Sequence, residues 1–314
     1  MKNLNKNFVS LIVLAVYLIL SLIGFGYYLS DYAQFSNLLY AIFFSTFPIP
    51  IICALFLFTD RLTVESPTML FSAFTWGATF AVFLSLMGNV LLSNLFGEFL
   101  LPFVYAPIIE ELFKGLFLFG VLLFLREKIY TIIDLIIYGF MVGIGFSMTE
   151  NFLYYSNAFQ ESFSGGLELF WNRGVFMFFV HPLFTAITAM GIALYLLKYK
   201  TKWMIALGLG LAILLHSLWN SLSLLGEKGF NLLYFFVFIP IIVSFFVVSY
   251  FVESNVKEII YSNLDFIKKE QWKKYFINRR RRLKNVWKSI YRLNIKSAIY
   301  KFKFHRLVVQ TALK

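Results

Sequence analysis

The chain has 314 residues, of which 60% are hydrophobic and 14% charged, with a mean hydropathy of +0.76. Soluble domains average about 45–50% apolar and about 25% charged residues, so 40 Phe, 18 Tyr and 6 Trp exclude a water-solvated globule. Seven Pro, 18 Gly and the single Cys53 exclude collagen-like, disordered and disulfide-built chains. The net charge of +12 is unevenly placed. Residues 253–314 hold 17 Lys+Arg against 4 Asp+Glu, whereas residues 1–252 hold 11 against 12. The division is an apolar body, 1–252, followed by a basic tail, 253–314.

Eight apolar runs are long enough to cross a bilayer as helices, about 8–29, 38–58, 69–92, 101–125, 133–155, 173–197, 203–224 and 232–252. None alternates with period two, and in lipid the backbone must satisfy its own hydrogen bonds, so an all-α, polytopic membrane bundle is expected. Lys2 and Lys6 precede the first run, but no small-x-small cleavage site follows, so it reads as a retained helix. Cations select the inside. With the N-terminus inside, inner segments hold Lys2, Lys6, Arg61, Arg126, Lys128, Lys198, Lys200, Lys202 and the tail. Outer segments hold Asp31, Glu98, Glu161, Glu168 and Glu227, with Lys228 as the clear exception. The expectation is an N-in, C-in multi-pass protein of the cytoplasmic membrane. Arg173 stands at the start of the sixth run.

In the tail, Phe266, Trp272, Tyr275, Phe276, Trp287, Ile290, Tyr291 and Ile295 interleave with cations, densest at Arg279–Arg282. This reads as amphipathic helix lying on anionic lipid headgroups. No nucleic-acid reading motif is present, and no nucleic-acid partner is expected. His305 reads as an ordinary exposed residue.

Away from the ends of the predicted spans, six ionisable groups fall inside them: Glu110, Glu111, Lys114, Glu150, His181 and His216. Each costs roughly 2.5–3.5 kcal/mol at the bilayer centre when unpaired. Together that exceeds typical net stability, so they must meet one another or water. Counting helical rise from the predicted ends puts Glu110, His181 and His216 about 12–14 Å below the outer surface and Glu150 at about 8 Å. Glu110 and Lys114 share a face at i,i+4, while Glu111 is rotated about 100° away. His216 and Asn220 also share a face, and His181, Thr185 and Thr188 form a polar stripe. Gly139, Gly143 and Gly145 permit close helix approach in the fifth span.

A carboxylate and an imidazole in a partly dry cavity can hold and deprotonate a water, and imidazole and amide donors can stabilise an oxyanion. That combination fits the addition of water to an amide. No Gly-x-Ser-x-Gly elbow and no His-Glu-x-x-His helix occurs, and Cys53 lies in another span. A zinc site from His181, His216 and one Glu is conceivable, since His₂Glu is a catalytic set. Separate helices supply the two histidines, and a metal-free reaction with no cofactor is expected. Intramembrane Glu and His also serve proton-coupled transporters. Those commonly carry repeated halves, and none is evident between 1–125 and 126–252. A non-catalytic membrane scaffold is the third reading.

Glu110-Glu111-Leu112-Phe113-Lys114 resembles the Glu-Glu-x-x-Lys motif of the PrsW family of intramembrane proteases. Gly143-Ile144-Gly145-Phe146 leading to Glu150-Asn151 is similar to that family's second motif. His181-Pro182-Leu183-Phe184-Thr185 and His216-Ser217-Leu218-Trp219-Asn220 resemble the third and fourth. The likeness spans a motif core at 101–224. It implies that Glu110 and His181 activate water and that His216 and Asn220 form the oxyanion site. Glu111 joins these as a catalytic candidate, with Lys114, Glu150 and Asn151 in support. The implied substrate is a single-span or membrane-anchored protein cut near the outer side, as in first cleavage of an anti-sigma factor. The basic tail lies outside this pattern.

Overall fold

In the computed structural model the described residues are 35–57, 65–222 and 234–244, with scattered positions from 247 to 311. Among them the secondary structure is helical, without strands. Helix α1 is Phe35–Thr46 and α2 is Ile49–Leu57. Helix α3 is Pro67–Phe96, with a π-helical turn at Gly77–Ala81. A π-turn at Leu101–Tyr105 leads into α4, Ala106–Phe124. Helix α5 is Ile132–Glu161, α6 is Phe163–Leu169, α7 is Val180–Leu194 and α8 is Trp203–Ser221.

Among the described residues, five stretches are long and apolar enough to cross a membrane: Ser36–Cys53, Pro67–Phe96, Ile132–Glu161, Phe163–Tyr199 and Trp203–Ser221. Helix α4 is apolar too, but it carries Glu110, Glu111 and Lys114. The predicted run 8–29 lies outside the described residues. Of the run 232–252, Tyr234–Ser244 is described as helix.

Helix α5 is the central post. It starts on a capping box: Thr131 Oγ1 accepts from the Asp134 amide, and Asp134 Oδ2 accepts from the Thr131 amide at 3.0 Å. From Ile133 to Ser147 every residue is buried. A helix apolar all round belongs inside a bundle. Its glycines make this possible. A Cβ on Gly145 would overlap the Phe74 carbonyl of α3, and one on Gly143 would sit 2.5 Å from Pro182 Cα of α7. Gly77 of α3 lies in the same way against the Val142 carbonyl. The close approach expected at Gly139, Gly143 and Gly145 is therefore observed.

Two boundaries differ from expectation. Helix α5 continues to Glu161, past the predicted end at 155. The predicted run 173–197 is interrupted. After α6 the chain forms a π-helix at Phe170–Phe176, then breaks at Met177–Phe179 before α7. Pro182 has no amide to donate to the Phe178 carbonyl, so a helix cannot run straight through. The restart places His181 in the first turn of α7.

Most of the tail lies outside the described residues. Where it is described, His305 is 7% exposed, and its Nε2 lies 2.8 Å from Tyr275 Oη. Phe276 and Phe304 pack their rings around it. The exposed reading of His305 is thus corrected. Its ring is drawn in by three aromatic neighbours that are far from it in sequence or adjacent to it.

Candidate active site

Four helices deliver the cluster. On α4, Lys114 is fully buried, and its Nζ lies 2.8 Å from Glu111 Oε1 and 3.3 Å from Glu110 Oε2. The expectation that Glu111 points away from this pairing is corrected. The four-carbon lysine stem reaches residues three and four positions back alike. The same ammonium lies 3.1 Å from His181 Nδ1 of α7 and 3.8 Å from the Phe146 ring centroid of α5.

His216 enters from α8. Its Nδ1 is 3.0 Å from Glu111 Oε1, and its Nε2 is 3.9 Å from Glu110 Oε2. The ring stacks on Phe184 and meets the His181 ring edge-on, with centroids 4.9 Å apart. A carboxylate accepts and does not donate, so His216 Nδ1–H donates to Glu111, which turns Nε2 toward Glu110.

Glu150 of α5 joins the same network. Its Oε2 lies 2.9 Å from His181 Nε2. The same oxygen lies 2.7 Å from Arg173 Nη2, and Arg173 Nε donates to Asn151 Oδ1 at 3.0 Å. The guanidinium sits 3.9 Å above the Tyr154 ring centroid. Three carboxyl groups thus meet two fixed cations and two imidazoles.

Glu110, His181 and His216 each offer a ligand atom, and these atoms lie within 4.8 Å of one another. This is a His₂Glu donor set of the kind that holds zinc. Glu111 and Glu150 sit behind the two imidazoles, as outer carboxylates do behind metal-bound histidines. The residues therefore fit a zinc ion.

Residues 65–246, more than half of the chain, match the profile described as PrsW family intramembrane metalloprotease. The chain belongs to the PrsW family. No curated protein and no solved structure matches it.

The PrsW-like motifs, read against the fold, separate into two groups. Glu110, Glu111, Lys114, Glu150, His181 and His216 come together as one contiguous network. Asn151 joins through Arg173. Asn220, one turn beyond His216, instead donates its Nδ2 to the Pro102 carbonyl at 2.7 Å. Thr185 bonds back to the carbonyl of His181 at 3.2 Å rather than to another helix.

Arg173 was not anticipated as a member of this group. The available signal was its isolation, because it is the sole Lys or Arg between Lys128 and Lys198. Phe146, whose ring faces Lys114, carried no signal beyond its place beside Gly145.

Proposed function

We propose that this PrsW-family protein is an intramembrane endopeptidase that hydrolyses peptide bonds of single-span or membrane-anchored proteins near the outer side of the cytoplasmic membrane. The observation that carries the proposal is the convergence of Glu110, His181 and His216, within 4.8 Å, inside an apolar bundle. Ionisable groups are costly in that setting unless they serve function.

In this reading Glu110 and His181 hold a water. Glu110 takes its proton as the oxygen attacks the scissile carbonyl carbon. The tetrahedral oxyanion is met by donors from His216 and Asn220. Asn220 exchanges its bond to the Pro102 carbonyl for one to the substrate. The proton then passes to the leaving nitrogen as the C–N bond breaks, giving an amine and a carboxylic acid that gives up its remaining proton to water. Lys114 keeps Glu110 and Glu111 together without quenching either by proton transfer. Its ammonium, 3.3 Å from Glu110 and 3.1 Å from His181, already places a fixed cation among the donors. That cation opposes a dication at the same point and favours the metal-free route.

The His₂Glu donor set and the family's description favour a second reading, in which Glu110, His181 and His216 hold zinc. Zinc there supplies Lewis acidity and a more acidic bound water. Either way the same three side chains are required.

The proposal includes eight spans with both termini inside, and a division into a 1–252 protease body and a 253–314 tail. The tail lies on anionic headgroups, with no role in nucleic-acid binding. An anti-sigma-factor type of substrate suits the outward position of the site.

The test is comparative membrane proteomics of cells carrying the wild type or Glu110→Gln at matched expression. Single-span proteins are expected to accumulate intact in the variant. Unchanged cleavage, with proton or solute flux in proteoliposomes, would replace the peptidase with a transporter.

A further inference from the structure

The geometry points to Arg173 as a positioning residue that, through Glu150, fixes which ring nitrogen of His181 carries its proton. Arg173 comes from the π-helical stretch Phe170–Phe176, outside the helices that carry the four motifs. Three contacts hold it to the C-terminal third of α5: Glu150 Oε2 at 2.7 Å, Asn151 Oδ1 at 3.0 Å and the Tyr154 ring at 3.9 Å. Gly174 lets the stretch come this close, because a Cβ there would stand 2.7 Å from Tyr155 Oη.

Glu150 Oε2 serves Arg173 and His181 together. An ionised carboxylate only accepts, so His181 Nε2 carries the proton. Nδ1 then presents its lone pair to the Lys114 ammonium at 3.1 Å. Hydrogen placement follows from the partners, and each partner here has a single possible role. Arg173 lacks any acceptor, so Glu150 Oε2 accepts from it and is held aimed at His181. Without it, Glu150 loses one of its two partners and is free to turn, and His181 loses the contact that defines its tautomer. Other groups packed against the ring, namely Glu110, Lys114, His216 and Phe184, do not reach Nε2 as partners at hydrogen-bond distance. The assignment concerns Nε2 alone and does not depend on what Nδ1 meets.

The inference rests on the peptidase reading only for its kinetic consequence. The direct test needs no substrate. The chain has three histidines, so ¹⁵N-histidine labelling of the purified full-length protein in detergent gives few imidazole signals, assignable with His216→Gln and His305→Gln. The wild type is expected to show His181 as the Nε2–H tautomer. Arg173→Ala is expected to show a mixture or the Nδ1–H form, with Arg173→Lys returning part of the wild-type signal. Arg173→Gln, which keeps a donor and removes the charge, gives the same readout where the Ala variant does not fold. A His181 signal unchanged in Arg173→Ala or Arg173→Gln overturns the assignment.

The kinetic arm uses a membrane protein that accumulates in the Glu110→Gln cells. Loss of an outer partner typically costs about 10–100-fold, here in maximal cleavage rate with the half-saturating substrate level little changed. A fall in apparent substrate affinity alone would make Arg173 a substrate contact and overturn the positioning role. Should Glu110→Gln leave cleavage intact, the peptidase reading falls, and the spectrum still decides on Arg173.

Discussion

Glu111 Oε1 lies 3.0 Å from His216 Nδ1, and the same oxygen lies 2.8 Å from Lys114 Nζ. One fully buried carboxylate oxygen therefore ties α4 to α8 and aims His216 Nε2 at Glu110. Glu111→Gln keeps the shape but replaces the carboxylate with an amide, which holds the ring only if it flips. Cleavage of a membrane-anchored reporter is expected to fall about 10–100-fold, the usual cost of losing an outer carboxylate behind a histidine. Retention of full activity would show that His216 is oriented by its stacking on Phe184 instead.

Lys114 stabilises two carboxylates at once. Lys114→Met fills similar volume but leaves Glu110 and Glu111 side by side without their cation. Removing one partner of a buried ion pair costs about 3–5 kcal/mol. A lower melting temperature in detergent is expected, and adding Glu111→Gln to Lys114→Met should cost less than the sum of the single changes. Strict additivity would mean that the two groups do not depend on each other.

The glycine contacts make a graded series. Gly143→Ala and Gly145→Ala push a Cβ into neighbouring backbone, where overpacking typically costs about 1–3 kcal/mol. Gly210 on α8 has open space around its Cβ position, so Gly210→Ala should be neutral or stabilise by up to about 1 kcal/mol. Thermal unfolding of the three variants in one detergent checks the order.

Metal dependence separates the two routes to hydrolysis. The purified protein is expected to retain cleavage after exhaustive treatment with a strong chelator, with less than stoichiometric zinc by elemental analysis. Loss of activity restored by one equivalent of zinc would assign Glu110, His181 and His216 as ligands instead.

Much of the site was legible because charge in an apolar run is conspicuous. Glu110, His181 and His216 declared themselves by being costly where they stood, and helical rise placed them in a shared layer. The end of α5 was not legible, because hydrophobicity fades near 155 while the helix continues through polar residues to Glu161. The break at Met177–Phe179 was hidden because Phe, Met and Val fill the interruption as readily as they fill a helix. The place of Arg173 was hidden for the same reason: at the start of a straight helix it would stand at a rim, whereas the π-helical stretch Phe170–Phe176 sets it against α5. The glycines were readable as small, but the sequence does not say which helix each one faces.

Helix α5 has 30 residues, and at 1.5 Å rise per residue it is about 45 Å long. The hydrocarbon layer is about 30 Å thick. An upright α5 starting at one boundary at Ile132 exhausts that thickness near Glu150, and ordinary tilts shift the point by little. Tyr154, Tyr155, Ser156, Asn157, Gln160 and Glu161 then stand in the headgroup zone, a composition suited to it. The Glu150 end of the network thus meets the wet boundary while Lys114 and Glu111 remain in the dry interior. A hydrolase so placed draws its second reactant from the interface itself and needs no aqueous pore through the bundle.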